Sequence, residues 1–320
     1  MSRSALVTGA AGFVGQWLCR ALLADGWSVV GAGNAALPVA GILRDDEKHA
    51  ITWARADVRD PSDIARVFDQ AKPDAVFHLA GISSIPDAQA DPAIAYDINV
   101  IGAVRLLHET RMRRRGGEID PVFLVIGSAA QYGRALEQRP LRETDAQRPM
   151  SVYAATKAAQ EVAALEAARS EGVRVVATRS FNHSGPGQPD QFLLPALVHR
   201  VLAIRDGAEQ ALRIGNADTV RDFLHVRDVV RAYLALVESG VAGEVYNVCS
   251  GEGYRVRDLA KRVLAAAGVN AAIEVEPALV RQAEVPWLVG DPAKVRSATG
   301  WAPTLSCNDI IDDLINAASF

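Results

Sequence analysis

Leu6-Val7-Thr8-Gly9-Ala10-Ala11-Gly12-Phe13-Val14-Gly15 is the stretch that decides the fold. The short apolar run Ala5 to Val7 leads into it. Gln16-Trp17-Leu18-Cys19-Arg20-Ala21-Leu22-Leu23 follows, apolar at helical spacing. The glycines therefore sit between a buried strand and a helix, the setting in which a glycine-rich turn binds a dinucleotide. Gly9 permits the tight turn, Gly12 lets the backbone approach a pyrophosphate, and Gly15 lets the helix pack close to the sheet. The helix N-terminus adds unpaired N–H groups and the positive end of a dipole.

Outward from this turn, apolar runs and helical patterns alternate. Trp27–Val30, Ile51–Ala54, Ala75–Leu79 and Val122–Ile126 read as strands. Ser62–Gln70 has helical spacing, and Asp91-Pro92 opens a long helix through Asn99 to about Arg115. Repeated strand–helix units predict an α/β, Rossmann-type doubly wound parallel sheet, followed by a smaller C-terminal α/β domain. The expected boundaries are 1–178 for the dinucleotide domain, with 223–250 returning to it, and 179–222 with 251–320 for the second domain. Ala35–Ala50 and Asp206–Ala211 read as surface loops.

Composition excludes several classes. With 320 residues, 49% hydrophobic and 22% charged, the chain has material for a large core. A net charge of −4 offers no global attraction to nucleic acid or an anionic membrane. The one dense basic run, Arg111-Met112-Arg113-Arg114-Arg115, reads as a solvated helix C-terminus stopped by Gly116-Gly117 rather than a nucleic-acid patch. No apolar run reaches membrane-spanning length, and the glycine turn follows the first apolar residues too closely for a signal peptide. Cys19, Cys249 and Cys307 lack metal spacing and read as buried free thiols of a cytoplasmic protein. His78 lies in an apolar run and reads as a packed core residue.

The chemistry gathers at Gly127-Ser128-Ala129-Ala130-Gln131-Tyr132 and Ser151-Val152-Tyr153-Ala154-Ala155-Thr156-Lys157. The first follows a strand at its C-terminal end, where open α/β sheets place their sites. In the second, Tyr153 and Lys157 stand one helical turn apart on a shared face. A ketone that receives hydride must also receive a proton. A phenol of pKa near ~10 does this sluggishly, and a neighbouring lysine cation with an oxidised nicotinamide is expected to lower that pKa. Ser128 is placed to hold the carbonyl.

The G-x-x-G-x-x-G spacing with this Ser/Tyr/Lys set resembles the extended short-chain dehydrogenases/reductases, which modify nucleotide sugars. The resemblance implies cofactor contacts from Gly9, Gly12, Phe13, Val14, Gly15, Asn34, Asp57, Val58, Leu79, Ala80, Gly81, Asn99, Tyr153, Lys157, Ser180 and Phe181. Gly33 stands where NAD-specific members carry an acid that binds the ribose 2′-OH, which leaves room for the 2′-phosphate of NADPH. No neighbouring Arg obviously receives that phosphate; Arg44 is the nearest in sequence. NADPH is therefore the expected cofactor, with NADH the alternative.

Phe181-Asn182-His183-Ser184-Gly185-Pro186-Gly187-Gln188, Val220-Arg221-Asp222-Phe223 and Val280-Arg281-Gln282-Ala283-Glu284-Val285-Pro286-Trp287 narrow the resemblance to enzymes acting on GDP-sugars, the GDP-mannose 4,6-dehydratase and GDP-4-keto-6-deoxymannose reductase group. The substrate contacts implied are Ser83, Ser128, Tyr153, Asn182, Leu193, Val198, Arg221, Arg281 and Glu284. Arg221 and Arg281 suit a diphosphate and Glu284 suits ribose hydroxyls. Dehydratases of the group carry Glu two residues before the position of Tyr132. GDP-fucose synthases carry Cys there and a His just before Leu-Pro. This chain has Ala130 and Phe192, neither of which carries a proton. The expected reaction is simple reduction of GDP-4-keto-6-deoxy-D-mannose to GDP-D-rhamnose by a homodimer needing no metal. The alternatives are reduction on the opposite face to GDP-6-deoxy-talose, another NDP-sugar reductase or epimerase, or a nucleotide-sensing protein that has lost catalysis.

Overall fold

The computed structural model describes residues 2–34, 41–134, 137–280 and 285–318. The first half alternates strand and helix: β1 (Ser4–Thr8), α1 (Phe13–Ala24), β2 (Ser28–Gly33), α2 (Asp45–Ala50), β3 (Thr52–Arg55), α3 (Pro61–Ala71) and β4 (Ala75–His78). Next come α4 (Ile85–Ala90), α5 (Pro92–Tyr96), a π-turn (Asp97–Ile101), α6 (Gly102–Arg115), β5 (Val122–Ser128), α7 (Val152–Glu171) and β6 (Arg174–Ser180). The second half holds β7 (Asn182–Ser184), α8 (Leu193–Arg205), β8 (Ala211–Ile214), β9 (Val220–Arg221), β10 (Phe223–His225), α9 (Val226–Ser239), β11 (Val245–Val248), β12 (Tyr254–Arg255), α10 (Val256–Ala266), β13 (Ala272–Val275), β14 (Trp287–Leu288), α11 (Ala293–Thr299) and α12 (Cys307–Ala318).

Seven strands form one parallel sheet in the order β11-β6-β5-β4-β1-β2-β3. The order reverses between β1 and β4, the crevice where doubly wound sheets bind ligands. Both faces are covered, so the strands read as unbroken apolar runs; all four residues of β4 are buried. Val7, Leu18, Leu22, Phe77, Val229 and Tyr233 pack one face, and Leu6, Val67, Phe68, Leu106 and Phe123 the other. A separate core of Leu194, Leu197, Val201, Leu259, Val263 and Ile310 holds the second lobe together.

Local chemistry explains where the elements begin. Asp60 accepts from Ser62 N ahead of Pro61, and Ser151 accepts from Ala154 N to start α7. Two readings change. The helix expected from Asp91 to Arg115 is interrupted by the π-turn, which inserts Asn99 toward the interior. In the expected loop 35–50, residues 45–50 form α2, because Glu47 closes a capping box on the Arg44 backbone and pairs with Arg20 at 2.8 Å. Residues 35–40 lie outside the described set.

Candidate active site

The glycine turn is shaped for a ligand that needs close backbone approach. Gly9 has φ +71°, and a Cβ on it would lie 2.8 Å from Ala80 N. A Cβ on Gly15 would overlap the Gly9 carbonyl oxygen and stand 2.7 Å from that of Ala10. These two positions keep α1 against the sheet and leave its first N–H groups facing the crevice. Beside the turn is a cavity of about 230 Å³, lined by Thr8, Gly9, Gly33, Asn34, Ala56, Asp57, Val58, Ala80 and Gly81 among others. An adenosine-sized group fits this largely apolar pocket. Asp57 is not free to roam: Arg59 grips its carboxylate at 2.6–3.1 Å and holds it below the usual carboxylate range.

Several expected cofactor residues act indirectly. Asn99 is fully buried. Its Oδ1 accepts from Ile82 N (2.7 Å), and its Nδ2 donates to Ile82 O (3.1 Å) and Thr156 Oγ1 (2.9 Å). It therefore shapes the loop after β4 and has no side-chain surface for a ligand. Ser180 Oγ bonds Tyr233 Oη at 2.8 Å, and Phe181 is 1% exposed, so both side chains turn inward. Phe13 stacks on His183 with ring centroids 6.3 Å apart, and Val14 and Leu79 are half-buried.

Ser128, Tyr153 and Lys157 converge at the C-terminal edge of the sheet. Ser128 ends β5, and its Oγ accepts from Ala130 N at 3.2 Å. Its hydroxyl lies close enough to the Tyr153 phenol to act against the effect of burial there. Lys157 Nζ donates to Ile126 O (2.9 Å) and Gln160 Oε1 (3.0 Å), and burial pulls its pKa down to about 8. The expected electrostatics need correction here. Burial raises the Tyr153 pKa and the Ser128 hydroxyl lowers it, while Lys157 spends two N–H groups on its own neighbours. The resting phenol is neutral, the form that donates a proton.

Sequence spacing missed the support beneath Ser128. Gln131 Oε1 accepts the Ser128 N–H at 2.7 Å, and Gln131 Nε2 donates to Glu161 Oε2 at 2.8 Å. Glu161 in turn receives Arg179 through two bonds, at 2.9 and 2.7 Å. Glu161 lies beyond Lys157 on α7 and Arg179 in β6, so no local motif announces them.

The substrate residues are placed unevenly. Asn182 is half-buried, and its Nδ2 is buried without a hydrogen-bond partner, a donor ready for a ligand acceptor. Ser83 is exposed on the loop after β4. Leu193 opens α8, half-buried, whereas Val198 is 2% exposed inside the second core and offers almost no surface. Arg221 ends β9, with Nη1 donating to Val220 O at 2.9 Å. Arg281 and Glu284 lie outside the described residues. His78 is buried, with Nδ1 2.8 Å from Thr8 Oγ1 and its pKa lowered to about 3 by burial, as a packed core residue requires. Cys19, Cys249 and Cys307 are buried free thiols. Each arginine of the basic run pairs with an acid: Arg111 and Arg115 with Glu171, Arg113 with Asp69 and Glu109, and Arg114 with Asp120.

A parallel dinucleotide-binding sheet with Ser, Tyr and Lys brought together at its C-terminal edge defines an extended short-chain dehydrogenase/reductase. A family model described as GDP-mannose 4,6 dehydratase matches residues 6–314. GDP-6-deoxy-D-mannose reductase of Pseudomonas aeruginosa is 36% identical over 96% of this chain and 94% of its own length. GDP-mannose 4,6-dehydratase of Vibrio cholerae is 25% identical over 98% and 93%. The solved structure of RMD from Pseudomonas aeruginosa complexed with NADPH superposes with a TM-score of 0.83 at 32% identity, covering 99% of this chain and 100% of that one. The chain belongs to the GDP-mannose 4,6 dehydratase family.

Proposed function

We propose that the protein is an NADPH-dependent reductase that converts the C4 ketone of GDP-4-keto-6-deoxy-D-mannose to the alcohol of GDP-D-rhamnose. The observation that carries this reading is the near full-length likeness to GDP-6-deoxy-D-mannose reductase, together with an intact Ser128/Tyr153/Lys157 cluster. The glycine turn, the cavity and the β4 loop would hold the cofactor. NADPH, when bound, supplies hydride to C4. Tyr153 Oη gives its proton to the C4 oxygen, and Ser128 Oγ orients that oxygen. Lys157, still mostly protonated at neutral pH, steadies the negative charge left on Tyr153 and suits a ribose hydroxyl.

Ala130 and Phe192 support reduction without epimerisation or dehydration, since neither can take a proton from carbon. Residues 1–178 and 223–250 would bind the cofactor, and 179–222 and 251–320, with Asn182, Arg221, Arg281 and Glu284, the GDP-sugar. The test is product identification: purified protein, GDP-4-keto-6-deoxy-D-mannose and NADPH should yield GDP-D-rhamnose by NMR. GDP-6-deoxy-talose would overturn the assigned face.

The reading extends to a cytoplasmic homodimer. Among the described residues no helix is long and apolar enough to cross a membrane, and buried free thiols fit a reducing compartment. The α5–α6 and α7 helices expose Tyr96, Ile101, Val104 and Val162, the last at 65%, beside the small residues Ala155, Ala158 and Ala159. Such a surface suits close helix packing against a second copy. Light scattering should give twice the chain mass at micromolar concentration, and a monomer would refute the dimer.

A further inference from the structure

Gly33 leaves space for a 2′-phosphate, but the sequence near it offers no cation to meet one. The sheet supplies one from another strand. β2 and β3 run parallel with Gly31 opposite Trp53 and Gly33 opposite Arg55, and the ladder continues through Ala56 N donating to Gly33 O at 2.9 Å. Gly31 and Gly33 face the same side of the sheet, as do Trp53 and Arg55. A Cβ on Gly31 would stand 3.2 Å from the Trp53 ring, so side chains at this register do meet across the strands. One step further toward the strand ends, a Cβ on Gly33 would find nothing within 4 Å among the described residues. That open space adjoins the cavity, whose wall includes Gly33, Asn34 and Ala56. Arg55 is exposed and lies opposite Gly33 in the ladder.

The other cations at this end of the sheet are engaged. Arg44, the nearest in sequence, pairs with Asp46 and Glu47. Arg59 is held by Asp57, Arg66 by Asp63, Lys48 by Asp45 and Arg105 by Asp97. Among the described residues, the Arg55 guanidinium makes no ion pair or hydrogen bond, and the stretch 35–40 contains no acid. A guanidinium matches phosphate oxygens two at a time, and an unpaired one beside a space whose neighbouring carboxylate, Asp57, is already paired with Arg59 is suited to a dianion.

We propose that Arg55 on β3 binds the adenosine 2′-phosphate and sets the preference for NADPH over NADH. The space for that phosphate is the one that Gly33 leaves open. This rests on the proposed NADPH dependence, and the wild-type protein tests that dependence separately.

The experiment measures dissociation constants by fluorescence titration for NADPH, NADH, adenosine 2′,5′-bisphosphate and 5′-AMP, with wild type, Arg55→Gln and Gly33→Asp. Wild type should bind the 2′-phosphorylated member of each pair more tightly. Arg55→Gln should weaken NADPH and the bisphosphate about 10- to 100-fold, the range of a lost charge-assisted bond, and leave NADH and 5′-AMP within about twofold. Gly33→Asp places a carboxylate in that space without a clash with any described residue and should do the same by repulsion. NADH binding reports that each variant is folded. If wild type prefers NADPH but Arg55→Gln weakens both cofactors equally, or neither, Arg55 is not the determinant. If wild type does not discriminate, the NADPH reading itself falls.

Discussion

Replacing Glu161 by Gln tests whether the buried network under Ser128 serves both the fold and the chemistry. The Glu161 and Arg179 side chains are 4% and 6% exposed, so the pair is shielded from solvent. Glu161 accepts four bonds: two from Arg179, one from Gln131 Nε2 at 2.8 Å and one from Gln147 Nε2 at 2.5 Å. Those are all the acceptor sites a carboxylate has. An amide in its place keeps the shape, loses the charge and turns an NH2 toward donors. Breaking a buried pair from one side costs about 3–5 kcal/mol, because the remaining charge is uncompensated. With an unfolding entropy of about 2.1 cal/mol/K per residue over 320 residues, that lowers Tm by about 4–7 °C. Gln131 would then hold the Ser128 N–H less firmly, and kcat should fall about 10- to 100-fold, the cost of a misplaced catalytic group. Calorimetry gives the first number, and turnover of the 4-keto sugar well below Tm the second. A Tm within 1 °C of wild type would refute the energetic argument. A lowered Tm with unchanged kcat would confine the network to the fold.

Tyr153→Phe should lose kcat by about two to four orders of magnitude, the usual worth of a positioned acid, while fluorescence titration still shows cofactor binding. Reduction should decline above about pH 8 as Lys157 loses its proton. Burial lowers this lysine from 10.5, so the unfolded chain holds more protons between about pH 8 and 10.5. Wild type should therefore gain stability relative to Lys157→Met as pH rises through that window, and a flat difference in denaturant titrations at pH 7 and 9.5 would contradict it. In D₂O without reduced cofactor, the 4-keto sugar should take up no deuterium at C3 or C5 beyond an enzyme-free control. Uptake would point first to His183, whose Nδ1 is engaged with Phe181 O at 2.9 Å but whose ring stacks beside the glycine turn.

What could be read in the sequence was what depends on neighbours along the chain. The glycine turn, the Tyr153–Lys157 step and the strand before Ser128 are local periodicities, and the backbone realises them where expected. The alternating apolar runs likewise carry the parallel sheet, because a strand buried on both faces needs nothing but its own composition to be recognised. What escaped is which way a side chain of a suitable type turns once its element is packed. Asn99 has the residue type of a ligand contact, but a π-turn commits it to Ile82 and Thr156. Val198 sits in a plausible motif, but the periodicity of α8 turns it into the core.

The same distinction explains how one scaffold carries different outcomes. Ser128, Tyr153 and Lys157 hang from the end of β5 and the start of α7, elements fixed by the sheet, so the proton delivery proposed for them would come with the fold. Abstraction of a carbon-bound proton needs one more group, and the turn after β5 and the cap of α8 hold Ala130 and Phe192, neither of which can take a proton. Cofactor choice lies similarly at a strand end, in a glycine and an arginine that share a register without being near in sequence. Catalysis thus rests on elements that the core cannot spare. Reaction outcome and cofactor preference rest on single side chains at element ends, where a substitution meets solvent or ligand rather than the packed interior.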